Sequence, residues 1–474
     1  FGSSPWPEPA LGAAHMAASG GEGLVGYVTD CEGDLDSWHQ YVELSEVLRR
    51  GHDGSLELLD GAVFVYGGDV VDHRPGDLTI LEELLALKRR YPERVHLLLG
   101  NRDINKLRLP TELSETHRSA WPLSEHPNVY WMPKGPVRDN LPAEDVALDS
   151  WAVRLRWILR DTMGAANAFE SRKQELSRRA EGRAVEDEEV VRSFREIAAP
   201  GGPLFEYLSL GELAVQVGGT LFVHAGLPRS GSKWVPGWIP GPPARSGLPL
   251  PDWLAALEEL RAGAIAQVVS ASEAGEVAVA DAWSMLGQGG YEHQQPGAAL
   301  LQYGMRDTPD GTQQPSVIYN GWLDGDYQPM APDEATLEWL RAGGVRRVVS
   351  GHLPHGDAAL VLRAGEGLDV VTADLSYASD TAWEDGVADK HPACCEVLLG
   401  PGDTDGRVHG VLSNGLVYEA SLDDPVIGSV LADGWRVKGR TRGAEAGHGK
   451  LVLSRNQGWA FEARLASDGE LAKE

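Results

Sequence analysis

Five short segments of the sequence carry side chains that can bind a metal ion. Each follows an apolar run and places an Asp, Asn or His near a glycine. They are TDCEG (29–33), GDVVD (68–72), GNRD (100–103), HAG (224–226) and GHLPH (351–355). Oxygen and imidazole ligands together favour Mn, Fe or Zn over Ca or Mg. One such segment is weak evidence, because a Gly-Asp pair is usually a turn, but five in series predict a metal centre.

The apolar runs in front of these segments predict the elements that position them. Residues 24–29, 62–66 and 95–99 have the length of buried strands, and residues 35–50 and 78–90 have helical periodicity. This alternation predicts an α/β protein in which helices cover the faces of a sheet. Ligands at strand ends then converge on one edge of the sheet. Further strands are predicted at 213–217, 220–223, 346–350 and 369–372.

Three segments interrupt or extend this alternation. Residues 145–200 are interpreted as a helical cap insertion within a main domain, 16–390. Its basic residues either face an anionic substrate or form a solvated helix face; they are Arg172, Lys173, Arg178, Arg179 and Arg183. The loop 226–253 contains Trp234 and Trp238 and is predicted to form the rim of a pocket. Residues 391–474 are predicted to form a β-rich C-terminal extension.

Composition limits the possible partners. The chain has 474 residues and a formal net charge of −28, which argues against nucleic acid or an anionic membrane because both require a basic surface. The three cysteines lack CxxC spacing, so neither a disulfide framework nor a zinc ribbon is expected. A cytoplasmic location follows from this. No apolar run is long enough to cross a bilayer, and residues 1–15 are interpreted as an expression leader before Met16. The oligomeric state stays open.

The five segments together resemble the motif series of the calcineurin-like metallophosphoesterase superfamily, which reads D-x-H, G-D-x-x-D, G-N-H-[DE], H and G-H. Within the superfamily, the chain is similar to the phosphoprotein-phosphatase branch and its bacterial relatives, including diadenosine tetraphosphate hydrolases. The resemblance covers residues 23–379 apart from the helical insertion. It rests on GGDVVDHRPGD (67–77), GELAVQVGGTLFVHAGL (211–227), VVSGHLP (348–354) and VVTADLS (370–376).

This resemblance implies a fold, a cofactor and a set of ligands. The fold is a four-layer β-sandwich flanked by helices, and the cofactor is two divalent metal ions. By position, Asp30 binds the first metal, Asp69 bridges both, and Asn101, His224 and His352 hold the second. The implied reaction is attack on phosphorus by a hydroxide that bridges the metals, so that no protein nucleophile is required.

The sequence departs from the family pattern at two positions. Glu32 stands where the family has the His of D-x-H, and Arg102 stands where it has the His of G-N-H. If Glu32 binds, a third carboxylate joins the first shell and favours Mn or Fe, with Zn or Co still possible. If Glu32 points away, one metal position is weak or empty. Arg102 cannot donate a proton at accessible pH; it is expected to clamp the phosphate, with Asp72 holding it.

Three further residues are candidates for substrate or proton contacts. The phosphate-binding Arg of the family corresponds in position to His73, and Arg74 follows one place later, so either of the two can face the substrate. His355 lies one residue beyond a position where many members of the superfamily have a ligand. We interpret it as a contact to a ligand or to the substrate. With Arg102 fixed in charge, the leaving-group proton is expected from water, His73 or His355.

Taken together, the sequence predicts a metal-dependent hydrolase of phosphate esters or phosphoanhydrides. The acidic surface and the tryptophan-bearing loop favour a small or nucleotide-like substrate. A phosphoprotein phosphatase is the alternative within the same chemistry. A non-catalytic metal-binding module, or a hydrolase of a bond other than phosphate, remains a further alternative, because the family's His is absent at two positions.

Overall fold

The computed structural model of the protein describes residues 23–471, apart from 130, 133–134, 229–233, 242, 276–294, 308–314, 325–327, 366, 377–380, 384–391, 404, 443–448 and 459. The predicted leader, 1–15, lies outside the described residues. The described part is a mixed α/β protein with two large sheets. None of its helices has the length and apolar character that spanning a bilayer requires.

The strands of the described residues follow one another from Val25 to Ala466. They are β1 (Val25–Val28), β2 (Leu48–Arg50), β3 (Leu56–Leu58), β4 (Val63–Tyr66), β5 (Val95–Leu97), β6 (Ala214–Val217), β7 (Thr220–Val223), β8 (Arg347–Ser350), β9 (Leu360–Gly365), β10 (Leu368–Thr372), β11 (Ala382–Trp383), β12 (Cys394–Leu399), β13 (Arg407–Val411), β14 (Val417–Ser421), β15 (Arg436–Thr441), β16 (Leu451–Gln457) and β17 (Ala460–Ala466).

The α-helices flank these strands and fill the region between β5 and β8. They are α1 (Leu35–Leu44), α2 (Asp77–Arg90), α3 (Asn101–Asn105), α4 (Leu109–Glu112), α5 (Glu115–Ala120), α6 (Ala143–Leu148), α7 (Trp151–Trp157), α8 (Ala168–Arg179), α9 (Asp187–Ala198), α10 (Pro203–Leu210), α11 (Leu250–Glu273), α12 (Ala298–Tyr303), α13 (Glu334–Ala342) and α14 (Asp468–Leu471).

The larger sheet has the strand order β11-β17-β16-β15-β14-β13-β12-β1-β4-β5. The apolar strands β1 and β4 pair in parallel, with Val25 opposite Val63. On its other side β1 pairs with β12 in antiparallel orientation, with Val25 opposite Leu399. The predicted strands near the C-terminus are therefore present, and they continue the same sheet that carries the first metal-ligand segment.

The smaller sheet has the order β6-β7-β8-β10-β9, in which β7, β8 and β10 run parallel. Alternate residues of the two sheets form a shared apolar core that includes Tyr27, Val65, Val349 and Val371. The ring of Tyr27 on β1 stacks on Phe222 of β7, with centroids 5.7 Å apart. Because strand side chains alternate between faces, neighbours such as Val28 and Val348 contribute to a second core that contains the helices.

The predicted helix at 35–50 is wrong in its second half. Helix α1 ends at Leu44, and β2 begins at Leu48. Ser45 adopts an extended backbone, its hydroxyl donates to Glu396 of β12 at 2.6 Å, and the amide of Glu46 donates to the other Glu396 oxygen at 2.9 Å. A fully buried carboxylate that lies far away in the sequence thus ends the helix, and the local periodicity does not encode it.

The predicted insertion and loop also differ in detail from expectation. Helices α6 to α9 occupy the predicted insertion, separated by turns that contain Gly164 and Gly182, both with positive φ. The predicted loop extends only to Pro249, because α11 begins at Leu250 with a proline in its first turn. Trp234 is buried in the helical core, and Trp238 is half-buried.

Candidate metal centre

The structure brings the predicted ligand segments together at the ends of β1, β4, β7 and β8. Two groups of side chains there each have ligand atoms within 4.8 Å of one another. We call Asp30, Glu32 and Asp69 the carboxylate group, and Asp69, His224 and His352 the histidine group. Asp69 belongs to both. The amide oxygen of Asn101, at the start of α3, lies 3.2 Å from Nε2 of His224 and completes the predicted set.

The backbone at these ligands is strained in a consistent way. Eight non-glycine residues of the described chain have positive φ. Five of the eight are site residues: Asp30 (52°), Glu32 (46°), Asp69 (54°), Asp72 (122°) and His352 (72°). Such conformations persist only where the surroundings enforce them, and they cluster at functional sites. Here the segments fix each other, since the amides of Asp30 and Glu32 donate to the carbonyls of Gly68 and Asp69, both at 3.1 Å.

Two glycines allow the ligand segments to approach this closely. A Cβ added at Gly100 would overlap Asp69 Oδ1, and one at Gly351 would overlap Asp30 Oδ2 and the Thr29 hydroxyl. Both contacts are with groups that the fold holds in place. The glycines of GNRD and GHLPH are thus required by the packing of carboxylates against backbone.

The two carboxylate oxygens of Asp30 differ in their hydrogen bonds. Its Oδ2 accepts hydrogen bonds from the Thr29 hydroxyl at 2.5 Å and from the amide of His352 at 3.0 Å. Its Oδ1 is buried and has no hydrogen-bond partner. An unpaired buried carboxylate oxygen is costly, and a cation is the partner that suits it. Burial and the nearby Asp374 carboxylate raise the pKa of Asp30 well above its ordinary value.

The histidine group is oriented from behind by the backbone. His224 Nδ1 lies 2.8 Å from the carbonyl oxygen of Gly67, so that it donates there and presents Nε2 to Asp69 at 3.5 Å. This second contact is the usual way in which a ligating imidazole is fixed. Burial alone would lower the pKa of His224, but the Asp69 and Asp30 carboxylates raise it to about 10. His352 packs edge-on against His224, with ring centroids 5.2 Å apart.

Arg102 contacts the carboxylate group directly. Its Nε donates to Glu32 Oε1 at 2.6 Å and lies 3.6 Å from Asp69 Oδ2. Burial raises the pKa of Glu32 to about 8, even though Arg102 opposes the shift. The expected support from Asp72 is looser than predicted, because the distance from Arg102 Nη1 to Asp72 Oδ2 is 3.7 Å. Asp72 instead accepts a hydrogen bond of 2.7 Å from the fully buried Lys106.

The two candidates after GDVVD differ in exposure. The amides of His73 and Arg74 both donate to the carbonyl of Glu32, at 3.0 and 2.9 Å. The His73 imidazole is partly buried, with Nε2 3.6 Å from Glu32 Oε2, whereas Arg74 is exposed. Burial and the Arg102 charge lower the pKa of His73 to about 4. His73 is therefore neutral at pH 7 in this arrangement.

His355 packs against the C-terminal strands. It is buried, and neither ring nitrogen has a hydrogen-bond partner. After burial, the groups that lower the pKa of its imidazole are Lys438 and Arg436 of β15. Lys438 donates to the carbonyl of His355 at 3.0 Å, so that the C-terminal strands support the segment that follows His352.

Three site residues received no role in the sequence analysis, although two of them lie in segments that it quotes. Asp374 follows β10, is buried, and contributes to the raised pKa of both Asp30 and Glu32. Its signal, an aspartate after an apolar strand, is the same signal that identified the other segments. Asp103 accepts hydrogen bonds of 2.9 Å from the amides of Asp69, Val70 and Gly100. Lys106 has no comparable signal, since its role depends on a tertiary contact.

Sequence comparison adds no family assignment: no protein-family profile and no curated protein sequence matches the chain. Solved structures that resemble it include phosphatases. A cold-active protein-tyrosine phosphatase of the psychrophile Shewanella sp. aligns with TM-score 0.41 and 14% identity, over 85% of this chain and 81% of that one. A protein serine/threonine phosphatase from Saccharomyces cerevisiae, with similarity to human phosphatase PP5, gives TM-score 0.30 and 12% identity, over 94% and 80%. At these TM-scores the likeness assigns no activity.

Proposed function

We propose that the protein is a dinuclear metal-dependent hydrolase of phosphate esters or phosphoanhydrides. The observation that carries this proposal is that two three-residue ligand groups share Asp69. A shared carboxylate can contact two neighbouring cations at once. A single cation would use only one of the two ligand groups. The unpaired Oδ1 of Asp30 and the positive-φ backbone at the ligands support the same reading.

In this proposal each group holds one cation. Asp30, Glu32 and Asp69 would hold the first, and Asp69, Asn101, His224 and His352 would hold the second. Bound divalent ions supply Lewis acidity toward phosphoryl oxygens and lower the pKa of a coordinated water. The three carboxylates of the first group favour Mn or Fe there. The buried carboxylates carry a negative charge that Arg102 neutralises only in part. Two divalent cations would compensate the remainder.

The chain's own cations define how a phosphate would be oriented. Arg102 Nε donates to Glu32 and Nη1 lies 3.7 Å from Asp72, so that the guanidinium lies beside the ligand groups, where it would donate to phosphoryl oxygens. Arg74 is exposed next to this position and would contact the more distant part of the substrate. His73, neutral at pH 7 by its lowered pKa, would accept or donate a hydrogen bond rather than supply a charge.

The layer arrangement is part of the proposal. A four-layer β-sandwich is supported by the core that the two sheets share and by the helical core on their outer faces. In such an arrangement the parallel strands β1, β4, β7 and β8 end on one side, where the ligand segments lie. The acidic surface supports a small or nucleotide-like substrate rather than a nucleic acid.

The test combines metal analysis with turnover. The purified protein is stripped with chelator, reloaded with Mn, Fe, Co or Zn in turn, and assayed with p-nitrophenyl phosphate, dinucleoside polyphosphates and a phosphopeptide panel. We expect two equivalents of metal per chain and the highest turnover on a nucleotide-like substrate with Mn or Fe. Asp405→Asn is the matched control, because Asp405 also has positive φ but lies on the surface outside the site.

Each alternative has its own outcome. Preference for phosphopeptides would replace the small substrate by a phosphoprotein. Two bound metals without hydrolysis of any of these substrates would support a binding module or a hydrolase of another bond. A stoichiometry of one would contradict the dinuclear centre, and absence of metal binding would overturn the proposal as a whole.

A further inference from the structure

Helix α8 of the helical region contacts the segment that follows the GDVVD motif. Its Arg172 side chain is fully buried, and Nη2 donates to Asp77 Oδ2 at 2.9 Å. The same guanidinium donates to the Ser193 hydroxyl at 3.1 Å and lies over the Phe194 ring, 4.4 Å from its centroid. Arg172 is therefore neither a solvated residue nor available to an anionic substrate.

Asp77 connects this arginine to the metal centre. Its other oxygen, Oδ1, accepts a hydrogen bond of 3.1 Å from the amide of Asp72. Asp72 has a φ of 122° and its carboxylate holds Lys106 at 2.7 Å. The carboxylate of Asp77 also lies so close to Gly33 that a Cβ there would overlap Oδ1. One buried carboxylate thus touches both segments that carry the carboxylate group.

Further contacts join α8 to the same stretch of chain. The Ser171 hydroxyl donates to the carbonyl oxygen of His73 at 3.0 Å. The carboxylate of Glu175 accepts from the amides of Leu78 and Thr79 at the start of α2, at 3.1 and 3.0 Å. Arg178 also donates to the carbonyl oxygen of Pro75. Hydrogen bonds from consecutive turns of α8 therefore fix residues 72–79 at four points.

We infer that Arg172 is a positioning residue, which acts through Asp77 to hold residues 72–79 in the conformation that places His73 beside the metal centre. This inference rests on the proposed function. Buried ion pairs are seldom the most stable choice for a core, because desolvation offsets the attraction. A hydrogen-bonded ion pair fixes the orientation of its side chains, whereas an apolar pair does not. Here the Arg172–Asp77 pair orients the carboxylate that accepts the amide of Asp72, whose φ is 122°.

The experiment compares Arg172→Met with Lys173→Met. Lys173 lies on the same helix but is exposed in part and pairs with Asp187 at the start of α9. We measure amide hydrogen exchange of peptides covering residues 72–79, the metal content, and kcat and KM separately. We expect Arg172→Met to speed exchange of this segment at least tenfold and to lower kcat about tenfold or more at unchanged metal content. Lys173→Met should match the wild type in all three.

A second variant keeps the inference falsifiable if Arg172→Met does not fold. Ser171→Ala removes the hydrogen bond to the His73 carbonyl without leaving a charge unpaired, and it should lower kcat severalfold with a smaller rise in exchange. Arg172→Lys, which retains the charge, should recover part of the loss. Folded Arg172→Met or Ser171→Ala with wild-type exchange and kcat would overturn the inference. A wild type without turnover would instead refute the proposed function, and the exchange data would still decide the positioning role.

Discussion

The two ligand groups of the candidate metal centre share Asp69 but differ in how they are supported. The histidine group consists of imidazoles whose orientation is fixed by backbone, as when Gly67 binds His224 Nδ1. The carboxylate group is governed by neighbouring charges. Arg102 donates a hydrogen bond to Glu32, and the buried Asp374 carboxylate adds negative charge beside the group. The comparison teaches that one half of the site is prepared by geometry and the other by charge balance. The two proposed metal ions should therefore differ in how their binding responds to pH and to charge-changing substitutions.

The largest effect is expected where the two groups meet. Asp69→Asn removes the shared carboxylate, so both cations lose a ligand while the volume stays the same. Metal catalysis supplies several kcal/mol, and at about 1.4 kcal/mol per factor of ten we expect kcat to fall about 1,000-fold or more. Metal content by mass spectrometry should fall below one equivalent per chain.

The Asp405→Asn control should retain full activity and metal content. If Asp69→Asn kept two metals and lost only turnover, Asp69 would act on the substrate and not as a ligand. The two ligand groups would then share no metal ligand.

The second effect separates charge from geometry within the carboxylate group. Arg102→Lys keeps the positive charge but loses the planar donor arrangement that binds Glu32 and can bind a phosphate. We expect kcat/KM to fall about 10- to 100-fold, in line with the loss of one charged hydrogen-bond donor to the transition state. Metal content should stay at two, because the charge balance is preserved.

Arg102→Gln is the informative companion, because it removes the charge and leaves a hydrogen-bonding side chain. It should raise the affinity of the carboxylate group for a cation in titration calorimetry while turnover falls further. Unchanged kcat/KM in both variants would remove Arg102 from the reaction.

A smaller effect is expected at Asp374. Asp374→Asn removes one negative charge near Asp30 without touching a predicted ligand, and changes in the outer surroundings of a metal site typically cost about 10- to 100-fold in affinity or activity. We expect a loss near the lower end, confined to the metal of the carboxylate group. Competition between Mn and Zn followed by metal analysis measures it, and equal loss at both positions would contradict the separation of the two halves.

How much of this site the sequence predicts depends on the distance over which each contact acts. The candidate ligand residues can be recognised in the sequence because each follows an apolar strand, and parallel strands bring their ends together. The position of Lys106 at Asp72, where Arg102 was expected, requires knowledge of how the first turns after the strands pack. The burial of Arg172 against Asp77 joins helices that are ninety-five positions apart in the chain, and a helical pattern rich in arginine looks the same whether it is solvated or buried.

The fold shows the same division. Strands such as β4 and β7 were predicted nearly to the residue, because a short apolar run bounded by glycine or polar residues has few other solutions. The end of α1 was missed, because Glu396 on β12 captures the chain at Ser45 and Glu46. The pairing of β12 with β1 likewise has no local signal, and the strands near the C-terminus were predicted without their place in the larger sheet.

The smallest effect is a pH dependence that distinguishes which half releases protons when metal binds. A ligand must be deprotonated to bind. Without metal, burial raises the pKa of Glu32 to about 8, and the Asp69 and Asp30 charges, acting against burial, raise that of His224 to about 10. Both groups therefore hold a proton at pH 7, and metal binding releases it. A binding step that releases protons becomes more favourable as the pH rises. The stabilisation of the protein by metal should therefore increase with pH between about 6 and 8.

The rise should amount to about 1.4 kcal/mol per pH unit for each proton released, measured as the difference between denaturant unfolding with and without Mn. Groups distant from the metal, such as Lys438, cancel in this difference. Above the Glu32 pKa the contribution of Glu32 ends, and that of His224 continues. Glu32→Gln should therefore reduce the slope by one proton below pH 8 and leave it unchanged above. A slope unaffected by this substitution would mean that Glu32 is already ionised by its contact with Arg102, so that Glu32 needs to release no proton before it binds a cation.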